Sequence, residues 1–392
     1  MIQVLTAFSR EPDNPEKVVA DILQQLDLEH NRLKNTVGLL FGYVDFVNSG
    51  AVKALCSNLP FDVLGCTAQG FALHQAAEEI MLTLMVLTGD EAEFSAALSE
   101  PLTPQTDMEA NITELYRRAA APLQENPSLI FMFFPLSYAV LPGPAFEALD
   151  RESGGIPLFG SVAVDIATEI RTPQTIFNGE TWKDRMSLVL ITGIRDFKFF
   201  LITLPRQDAI QQRTVVTEAE DNRIIALNQE PVINYFKKIG MIQEGGFLDI
   251  PYAFPLEVDF HDGKPPRIFA IYTTNPDGSI SCGGSIPVGS TISLSSIGSK
   301  LVLETASRIT NQIKGEWGKS KKYHGLLIIA CFSRNVALAD PNEEMAVIQD
   351  ELADFPLPYL FLYAGGEYCP IHTENGQLAN GFYQYSLIAC LF

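Results

Sequence analysis

The sequence predicts an α/β protein with two sheet-based, layered domains in which helices pack on mixed sheets. Three observations lead to this class. Short apolar runs typical of strands alternate with segments whose apolar residues recur at helical spacing. Several runs are apolar at every position, as in strands that are buried on both faces. The chain has 392 residues, which is more than one hydrophobic core usually serves.

Residues 1–205 are predicted to form the first domain, with its strands in one sheet-based unit. Asn14-Pro15-Glu16 indicates a helix start, because proline fits the first helical turn. Phe177-Asn178-Gly179 is predicted to be a hairpin turn. Strands are predicted over 4–8, 37–41, 61–65, 80–87, 129–134, 156–164 and 186–191, and helices over 15–26, 47–55 and 104–123.

Residues 206–392 are predicted to form the second domain, because the polar segment 206–223 is typical of a junction. Asn275-Pro276-Asp277-Gly278 is predicted to be a turn between two strands. The last two strands are expected to pair. No short internal repeat is detected in the sequence. Helices are predicted over 231–240, 301–313 and 345–352, and strands over 248–258, 267–274, 325–331, 359–363 and 383–391.

The charge balance excludes two classes of partner. The formal net charge is -20, and a duplex or an anionic membrane surface repels an acidic protein. The longest apolar stretch, 129–142, is too short to span a bilayer. The sequence therefore predicts a protein with neither a nucleic-acid partner nor a membrane span.

The cysteines and the N-terminus favour the cytoplasm. Six cysteines stand at irregular spacing without a Cys-x-x-Cys pair, so buried free thiols are expected rather than a disulfide framework. The first residues lack the basic start and apolar stretch of a signal peptide.

The sequence carries no Walker-type, Gly-x-Ser-x-Gly or His-Glu-x-x-His signature. Cys66 could act as a nucleophile with a nearby base such as His74, although a buried small residue is the simpler interpretation. Cys369 and His372 have the spacing of half a zinc site and could also form a thiol–histidine pair. No metal and no cofactor is predicted.

Charged residues follow three predicted strands. Asp165 could bind a loop or accept from a ligand amine. Arg334 lies just past a buried strand, where open α/β sheets hold ligands, and its guanidinium suits a carboxylate. A structural salt bridge is the alternative for Arg334. Glu367 could accept from a ligand ammonium group or pair with Arg334.

Gly365 and Gly366 precede Glu367 at the end of an apolar run. Two glycines allow the backbone to approach closely to a neighbouring strand or to a ligand. Asn380-Gly381 is expected to be a turn whose amide adds a polar contact.

These segments resemble motifs of the FIST family, the F-box and intracellular signal transduction proteins. The resemblance covers nearly the whole chain and keeps the family's order. It rests on Gly65-Cys66-x-x-x-Gly70, Gly160 to Asp165, the stretch from Thr217 to Ile224, Cys331 to Arg334, Gly366-Glu367-x-x-Pro370 and Asn380-Gly381-Phe382.

The resemblance implies a sensory protein. FIST domains are thought to bind small ligands, amino acids among the candidates, and to signal to kinases, cyclases or other output modules. With no room for an output domain, this chain would act as a stand-alone sensor that signals through a partner protein.

The sequence therefore predicts a binding site for a small zwitterionic ligand and no enzyme activity. Arg334 would hold the carboxylate and Glu367 the ammonium group, and Gly365, Gly366 and Asn380 would shape the wall. Cys66, Thr67 and Asp165 would contribute if the two domains face each other across a cleft. The alternatives are a thiol-dependent enzyme, which uses Cys66 or the pair Cys369 and His372, and a non-catalytic protein–protein adaptor.

Overall fold

The computed structural model describes residues 2–136, 140–165, 173–204, 210–243, 246–247, 254–261, 266–320, 322–372 and 376–392. Helices pack on mixed sheets within these ranges, which confirms the predicted fold class. The strands of 1–205 lie in more than one sheet.

Residues 2–89 form a folding unit, repeat 1, that occurs again along the chain. Along the chain it consists of an edge strand, two strands that are parallel to each other, a hairpin and a closing strand. Helices connect the edge strand to the first parallel strand and the first parallel strand to the second. Its elements are β1 (Ile2–Ser9), α1 (Pro15–Leu26), α2 (Leu28–Asn31), β2 (Asn35–Gly42), α3 (Val44–Asn48), α4 (Ala51–Ser57), β3 (Asp62–Thr67), the hairpin β4 (Gln69–Leu73) and β5 (Ala76–Glu78), and β6 (Leu82–Gly89).

Repeat 2 follows the same plan. Its second parallel strand is linked to its hairpin through a segment that includes 166–172, which lies outside the described residues. Its elements are β7 (Phe94–Leu98), α5 (Met108–Ala120), β8 (Leu129–Phe134), α6 (Pro142–Ser153), β9 (Leu158–Val162), the hairpin β10 (Thr175–Phe177) and β11 (Glu180–Trp182), and β12 (Ser187–Ile191).

Repeat 3 begins with β13 (Lys198–Thr203) and continues after an insertion. The insertion lies between its edge strand and its first helix. The remaining elements are α8 (Ser299–Lys319), β24 (Leu326–Cys331), α9 (Phe332–Val336), α10 (Glu343–Glu351), β25 (Tyr359–Ala364), the hairpin β26 (Glu367–His372) and β27 (Leu378–Tyr383), and β28 (Ser386–Leu391).

The insertion forms a sheet of its own, called the inserted sheet. Apolar residues such as Val216, Phe236 and Ile292 form a separate core there. Its elements are β14 (Ile210–Glu220), β15 (Arg223–Leu227), β16 (Glu230–Pro231), α7 (Val232–Lys238), β19 (Leu256–Asp259), β20 (Arg267–Phe269), β21 (Ile271–Thr274), β22 (Ile280–Cys282) and β23 (Thr291–Leu294), with a short pair β17 (Ile242–Gln243) and β18 (Gly246–Phe247) beside them.

Among the described residues, the sheets of the three repeats contain six strands each in one common order. The orders are β1-β6-β2-β3-β10-β11, β7-β12-β8-β9-β26-β27 and β13-β28-β24-β25-β4-β5. The third and fourth strands are parallel, and the other neighbours are antiparallel.

The hairpins are exchanged between the repeats. The hairpin of repeat 2 completes the sheet of repeat 1, that of repeat 3 completes the sheet of repeat 2, and that of repeat 1 completes the sheet of repeat 3. This exchange closes a ring, so the three repeats are related by an approximate threefold symmetry. The repeats share little sequence, which is why the sequence analysis detects no repetition.

One apolar core lies between the three sheets. It contains Phe41, Phe133 and Phe159 together with Leu362 and Ile388 from repeat 3. The outer face of each sheet packs on the helices of its own repeat, α1 and α4, α5 and α6, or α8 and α10. The central strands are thus buried on both faces, which is why runs such as 129–134 are apolar throughout.

Local signals set the ends of several elements as predicted. The Asn14 side chain accepts a hydrogen bond from the Lys17 backbone N–H at 3.0 Å and caps α1. Asn178 and Gly179 have φ angles of 49° and 85° and form the tight turn between β10 and β11. Gly278, with a φ of 81°, ends the turn that joins β21 to β22.

Two expectations about the C-terminal strands are wrong. The strands β25 and β28 do not pair, because β24 lies between them. Asn380-Gly381 is no turn but part of β27, where Asn380 pairs with Pro370. The predicted strand over 248–258 lies partly outside the described residues.

The division of the chain at residue 205 stays a prediction. Strands from both sides of this residue occur in the sheets of repeats 2 and 3.

Candidate ligand-binding site

The candidate site lies where the parallel strands β24 and β25 end in repeat 3. Their register pairs Cys331 with Ala364, so the segments that follow both strands leave the sheet at the same edge. One segment is α9, which carries Arg334. The other is Gly365-Gly366, which leads directly to Glu367. The topology thus brings Arg334 and Glu367 to the same end of one sheet.

Arg334 is fully buried and forms an ion pair with Glu344 of α10, which is also fully buried. Its Nε and Nη2 both donate to Glu344 Oε1, and Nη2 also donates to the Val302 carbonyl at 3.1 Å and to Thr305 Oγ1 at 2.9 Å. Tyr363 donates its hydroxyl to the other carboxylate oxygen of Glu344 at 3.0 Å. The remaining guanidinium nitrogen, Nη1, is buried and has no hydrogen-bond partner among the described residues.

Glu367 is fully buried and has one engaged oxygen and one free oxygen. Ser386 donates its hydroxyl to Glu367 Oε2 at 2.6 Å, and the backbone N–H of Ser386 also stabilises the charged carboxylate. Glu367 Oε1 accepts no hydrogen bond from the described residues, although the Cys331 thiol lies close enough to lower the Glu367 pKa.

Burial raises the pKa of Glu367 well above its ordinary value. Ser386, the Cys331 thiol and the positive charge of Arg334 oppose this rise. The effect of Arg334 shows that its charge reaches the carboxyl group through space. The two residues do not form the ion pair that is one expectation from the sequence, because Arg334 pairs with Glu344.

Sequence reasoning missed Glu344. Its position carries a signal, because Glu344 and Ile348 lie four residues apart and therefore on the same face of α10. A carboxylate on the apolar face of a helix needs a buried partner.

The same strand ends in repeats 1 and 2 lack this pair of charges. Glu367 pairs with Ser161 where its hairpin joins the sheet of repeat 2. The corresponding hairpin residues are Gln69, which pairs with Tyr363, and Thr175, which pairs with Cys66. Neither Gln69 nor Thr175 carries a charge.

Ser386 has hydroxyl-bearing counterparts in the other repeats. It lies on the face of β28 that turns Ile388 towards the central core. The residues at this position are Thr83 in repeat 1 and Ser187 in repeat 2, both fully buried. Thr83 donates to the Phe41 carbonyl, and Ser187 Oγ has no partner among the described residues. Only in repeat 3 does this hydroxyl donate to a carboxylate.

The two glycines face a neighbouring strand. The Gly365 N–H donates to the Val162 carbonyl at 2.8 Å, and the Val162 N–H donates to the Gly366 carbonyl at 2.9 Å. A methyl group on Gly365 would lie 2.8 Å from the Ala163 carbonyl oxygen, and one on Gly366 would lie 2.9 Å from the Phe382 ring. Close packing against the residues that follow β9 therefore accounts for Gly365, and packing against the Phe382 ring of β27 accounts for Gly366.

Cys66 and Thr67 lie at the end of β3, in the sheet of repeat 1. The Cys66 thiol is buried 3.8 Å from Ser161 Oγ, and burial raises its pKa to about 12. Thr67 accepts from the Gln174 N–H through Oγ1 at 3.0 Å and from the Val164 N–H through its carbonyl at 3.0 Å. Both residues hold the strand ends together.

Asp165 follows Val164 and is half-buried. Its negative charge contributes to the raised pKa of Tyr43, after burial and Asp45 and Glu79. Asp165 is therefore near the strand end of repeat 1, whereas Arg334 and Glu367 are at that of repeat 3.

Asn380 lies away from the site. It is three ladder positions from the residue that pairs with Glu367, about 10 Å along the strand. Its Nδ2 donates to Asp150 Oδ1 at 2.6 Å and to the Ile156 carbonyl at 2.8 Å, and its Oδ1 accepts from the Leu158 N–H at 2.8 Å. Asn380 thus fastens the hairpin to the start of β9.

The cysteine–histidine pairs proposed from the sequence have other partners. Cys369 is fully buried, donates to the Phe200 carbonyl at 3.7 Å and has a pKa that burial raises well above the ordinary value. His372 is exposed, with Nδ1 3.4 Å from the Gly376 carbonyl oxygen. His74 Nε2 lies 3.0 Å from the Leu357 carbonyl oxygen. In these contacts, neither the Cys66 thiol nor the Cys369 thiol is hydrogen-bonded to a histidine.

All six cysteines are buried and free of disulfides, as predicted. Across the described ranges, no cluster of three or more histidine, cysteine or acidic side chains could hold a metal ion. No helix in the described part of the chain is long and apolar enough to cross a membrane.

Among the described residues, the strand ends of repeat 3 thus hold a buried ion pair and a buried carboxyl group, whereas the corresponding hairpin residues of repeats 1 and 2 are uncharged. Two family models match the chain, the FIST N domain over residues 36–230 and the FIST C domain over residues 242–370. Together they cover most of its length, and the chain belongs to the FIST family. No curated protein matches the chain.

FIST domains are sensory domains of signal transduction, and they are not a known enzyme family. The two matched regions meet between residues 230 and 242, inside the inserted sheet.

Proposed function

We propose that this chain is a sensor that binds a small zwitterionic molecule, such as an amino acid, between Arg334 and Glu367. One observation carries the proposal. Arg334 Nη1 and Glu367 Oε1 are a buried donor and a buried acceptor at the same end of one sheet, and neither has a hydrogen-bond partner within the part of the chain that the structure describes. An unsatisfied buried polar atom costs about 1–3 kcal/mol, so two of them call for an explanation beyond packing.

The two free atoms are complementary to the two ends of an amino acid. A ligand carboxylate would accept from Arg334 Nη1, and a ligand ammonium group would donate to Glu367 Oε1. Glu344, Val302 and Thr305 hold the guanidinium in place from the other side. The ligand would thus meet a preorganised donor and lose little binding energy to ordering it.

Complete burial of the two residues limits the size of the ligand. Since Arg334 and Glu367 are both inaccessible to solvent, only a small molecule would fit between them, and the site must open locally to admit it. The segment that bears Arg334 is short, since α9 spans Phe332–Val336 and turns follow it up to Asn342. Short elements of this kind open at low cost.

Gly365 and Gly366 would form the back of the site, because they place Glu367 against the end of β9. Three other residues selected from the sequence make structural contacts at other strand ends: Asn380, Cys66 and Thr67. Asp165 lies near the strand end of repeat 1. The proposed site therefore depends mainly on Arg334 and Glu367.

The signal would pass to a partner protein, such as a kinase or a cyclase, and the cytoplasm is the compartment we propose. A reducing compartment suits six buried free thiols.

A thermal-shift screen with the standard amino acids tests the proposal. At least one amino acid should raise the melting temperature of the wild type, and Glu367→Gln and Arg334→Lys should reduce this rise. Glutamine keeps the size of Glu367 but cannot ionise. Lysine keeps the positive charge of Arg334 but lacks the second set of N–H donors that the guanidinium provides.

The matched control is Thr175→Val, at the hairpin position of repeat 2 that corresponds to Glu367. This variant should respond like the wild type, whatever its own melting temperature. An equal response of the wild type and Glu367→Gln would remove the site from ligand recognition.

A further inference from the structure

One buried side chain forms hydrogen bonds that join the inserted sheet to repeat 3. Gln384 accepts from the Ala270 N–H at 2.7 Å and donates to the Gly283 carbonyl at 2.7 Å. Ala270 and Gly283 are themselves joined, because the Gly283 N–H donates to the Ala270 carbonyl at 2.9 Å. The Gln384 amide thus behaves like an added strand residue that joins the β20–β21 connection to the end of β22.

The fit around this amide is tight. A methyl group on Gly283 would collide with the amide of Gln384. A movement of Gln384 therefore has to move the inserted sheet or break both hydrogen bonds.

The same segment reaches the candidate site two residues later. Ser386 donates to Glu367 from its hydroxyl, at 2.6 Å, and its backbone N–H stabilises the same carboxylate. Tyr385 lies between the two contacts. It is fully buried and adopts a φ of 56°, a left-handed conformation that is uncommon for a residue with a bulky side chain. Such conformations persist only where contacts on both sides enforce them.

A second contact joins the same parts. Tyr385 packs in one apolar cluster with Ala270 of the inserted sheet and Val302 of α8. The Val302 carbonyl accepts a hydrogen bond from Arg334. Both residues of the proposed site thus contact the surroundings of Tyr385, Glu367 through Ser386 and Arg334 through Val302.

We infer that the inserted sheet is the output element of the site, coupled to Glu367 through the segment Gln384-Tyr385-Ser386. An ammonium group at Glu367 Oε1 stabilises the ionised carboxylate, which burial alone disfavours. Both hydrogen bonds from Ser386 then strengthen, since hydrogen bonds to a charged acceptor are about twice as strong as neutral ones. Ser386 then shifts, the constrained Tyr385 transmits the shift, and Gln384 moves the strands that it clamps.

This inference rests on the proposed function for its ligand, but its test can be carried out without a ligand. Hydrogen exchange of the Ala270 amide in the full chain reports the bond to Gln384 directly. Glu367→Gln replaces the ionisable carboxyl group that Ser386 contacts with a neutral amide and leaves the inserted sheet itself unchanged. We expect the exchange rate of Ala270 to change by about tenfold, as for one hydrogen bond of about 1.4 kcal/mol.

The second arm asks whether Ser386 carries the effect. In a Ser386→Ala background, Glu367→Gln should leave Ala270 exchange unchanged, because the link is already broken. The matched background is Ser187→Ala, a fully buried serine on β12, the closing strand of repeat 2. There the full effect of Glu367→Gln should remain. Amides of β8 serve as a reference for global destabilisation.

Each outcome decides the inference. No change at Ala270 in Glu367→Gln overturns it, and so does an equal change in the Ser386→Ala and Ser187→Ala backgrounds. Failure of the amino-acid screen with an intact exchange effect would refute the proposed ligand but not the coupling. The reverse pattern would refute the coupling alone.

Discussion

Phe41 and Phe133 occupy corresponding positions of repeats 1 and 2, and their rings meet edge to face with centroids 5.2 Å apart. Each ring stands on the first parallel strand of its repeat, opposite Cys66 or Ser161 on the next strand. The corresponding residue of repeat 3 is Cys331, opposite Ala364. The core thus follows the threefold plan in two repeats and departs from it in the third, the repeat that holds the buried charges.

The buried ion pair gives the first prediction. Glu344→Gln should lower the free energy of unfolding by about 3–5 kcal/mol, because it leaves the Arg334 charge uncompensated in the interior. Urea denaturation measures the loss. The control is Glu180→Gln, which breaks the exposed pair with Lys53 and should cost about 0–1 kcal/mol. Similar losses in both variants would show that the Arg334 site is hydrated in solution.

The Glu367 carboxyl predicts a pH dependence of stability. Burial raises the pKa of Glu367 in the folded state above the ordinary glutamate value of 4.5. The folded protein therefore holds this proton more tightly than the unfolded chain does. Stability is then lost as the pH rises from the unfolded pKa through the folded pKa.

Glu367→Gln removes this titration. The unfolding free energy of the variant relative to wild type should therefore increase with pH above about 4.5 and level off beyond the folded pKa. Denaturation series at several pH values measure the difference. A constant difference would mean that Glu367 titrates alike in both states.

The glycines before Glu367 give a steric prediction. Gly365→Ala places a methyl group 2.8 Å from the Ala163 carbonyl oxygen, a backbone atom that cannot turn aside. We expect a loss of about 1–3 kcal/mol in unfolding free energy, as for other overpacked sites. Gly298→Ala is the control, because no atom lies within 4 Å of the added methyl group. Equal losses of unfolding free energy in the two variants would mean that Gly365 does not pack this closely against the Ala163 carbonyl.

The last prediction separates structure from recognition. Asn380→Ala leaves the Leu158 N–H and the Ile156 carbonyl without their partner, at a cost of about 1–3 kcal/mol each in the unfolding free energy. The amino-acid response in the thermal-shift assay should be that of the wild type, because Asn380 lies about 10 Å from the Glu367 position along the strand. Loss of the response at intact folding would return Asn380 to the binding site.

The site was predictable in part. Arg334 and Glu367 could be selected because each follows an apolar run, and strand ends are where polar residues collect. Their real partners could not be selected. Glu344 comes from a helix, and Ser386 comes from the closing strand. Nothing in the local sequence connects either residue to its charge, because these contacts depend on how α10 and β28 pack on β24.

The sequence by itself determined the central apolar strands of the three repeats, most of the helices, the turns at Asn178 and Gly278 and the resemblance to the FIST family. It missed strands such as β7 and β13, and it predicted a polar junction where β14 lies. Periodicity and turn chemistry act within a few residues, so they are readable in one dimension. Only the tertiary structure decided that the hairpins are exchanged around a threefold ring and that Arg334 binds Glu344. A hairpin pairs as well with the strand of another repeat as with its own, because backbone hydrogen bonds do not distinguish the two. The choice between them is made by the core that all three sheets share.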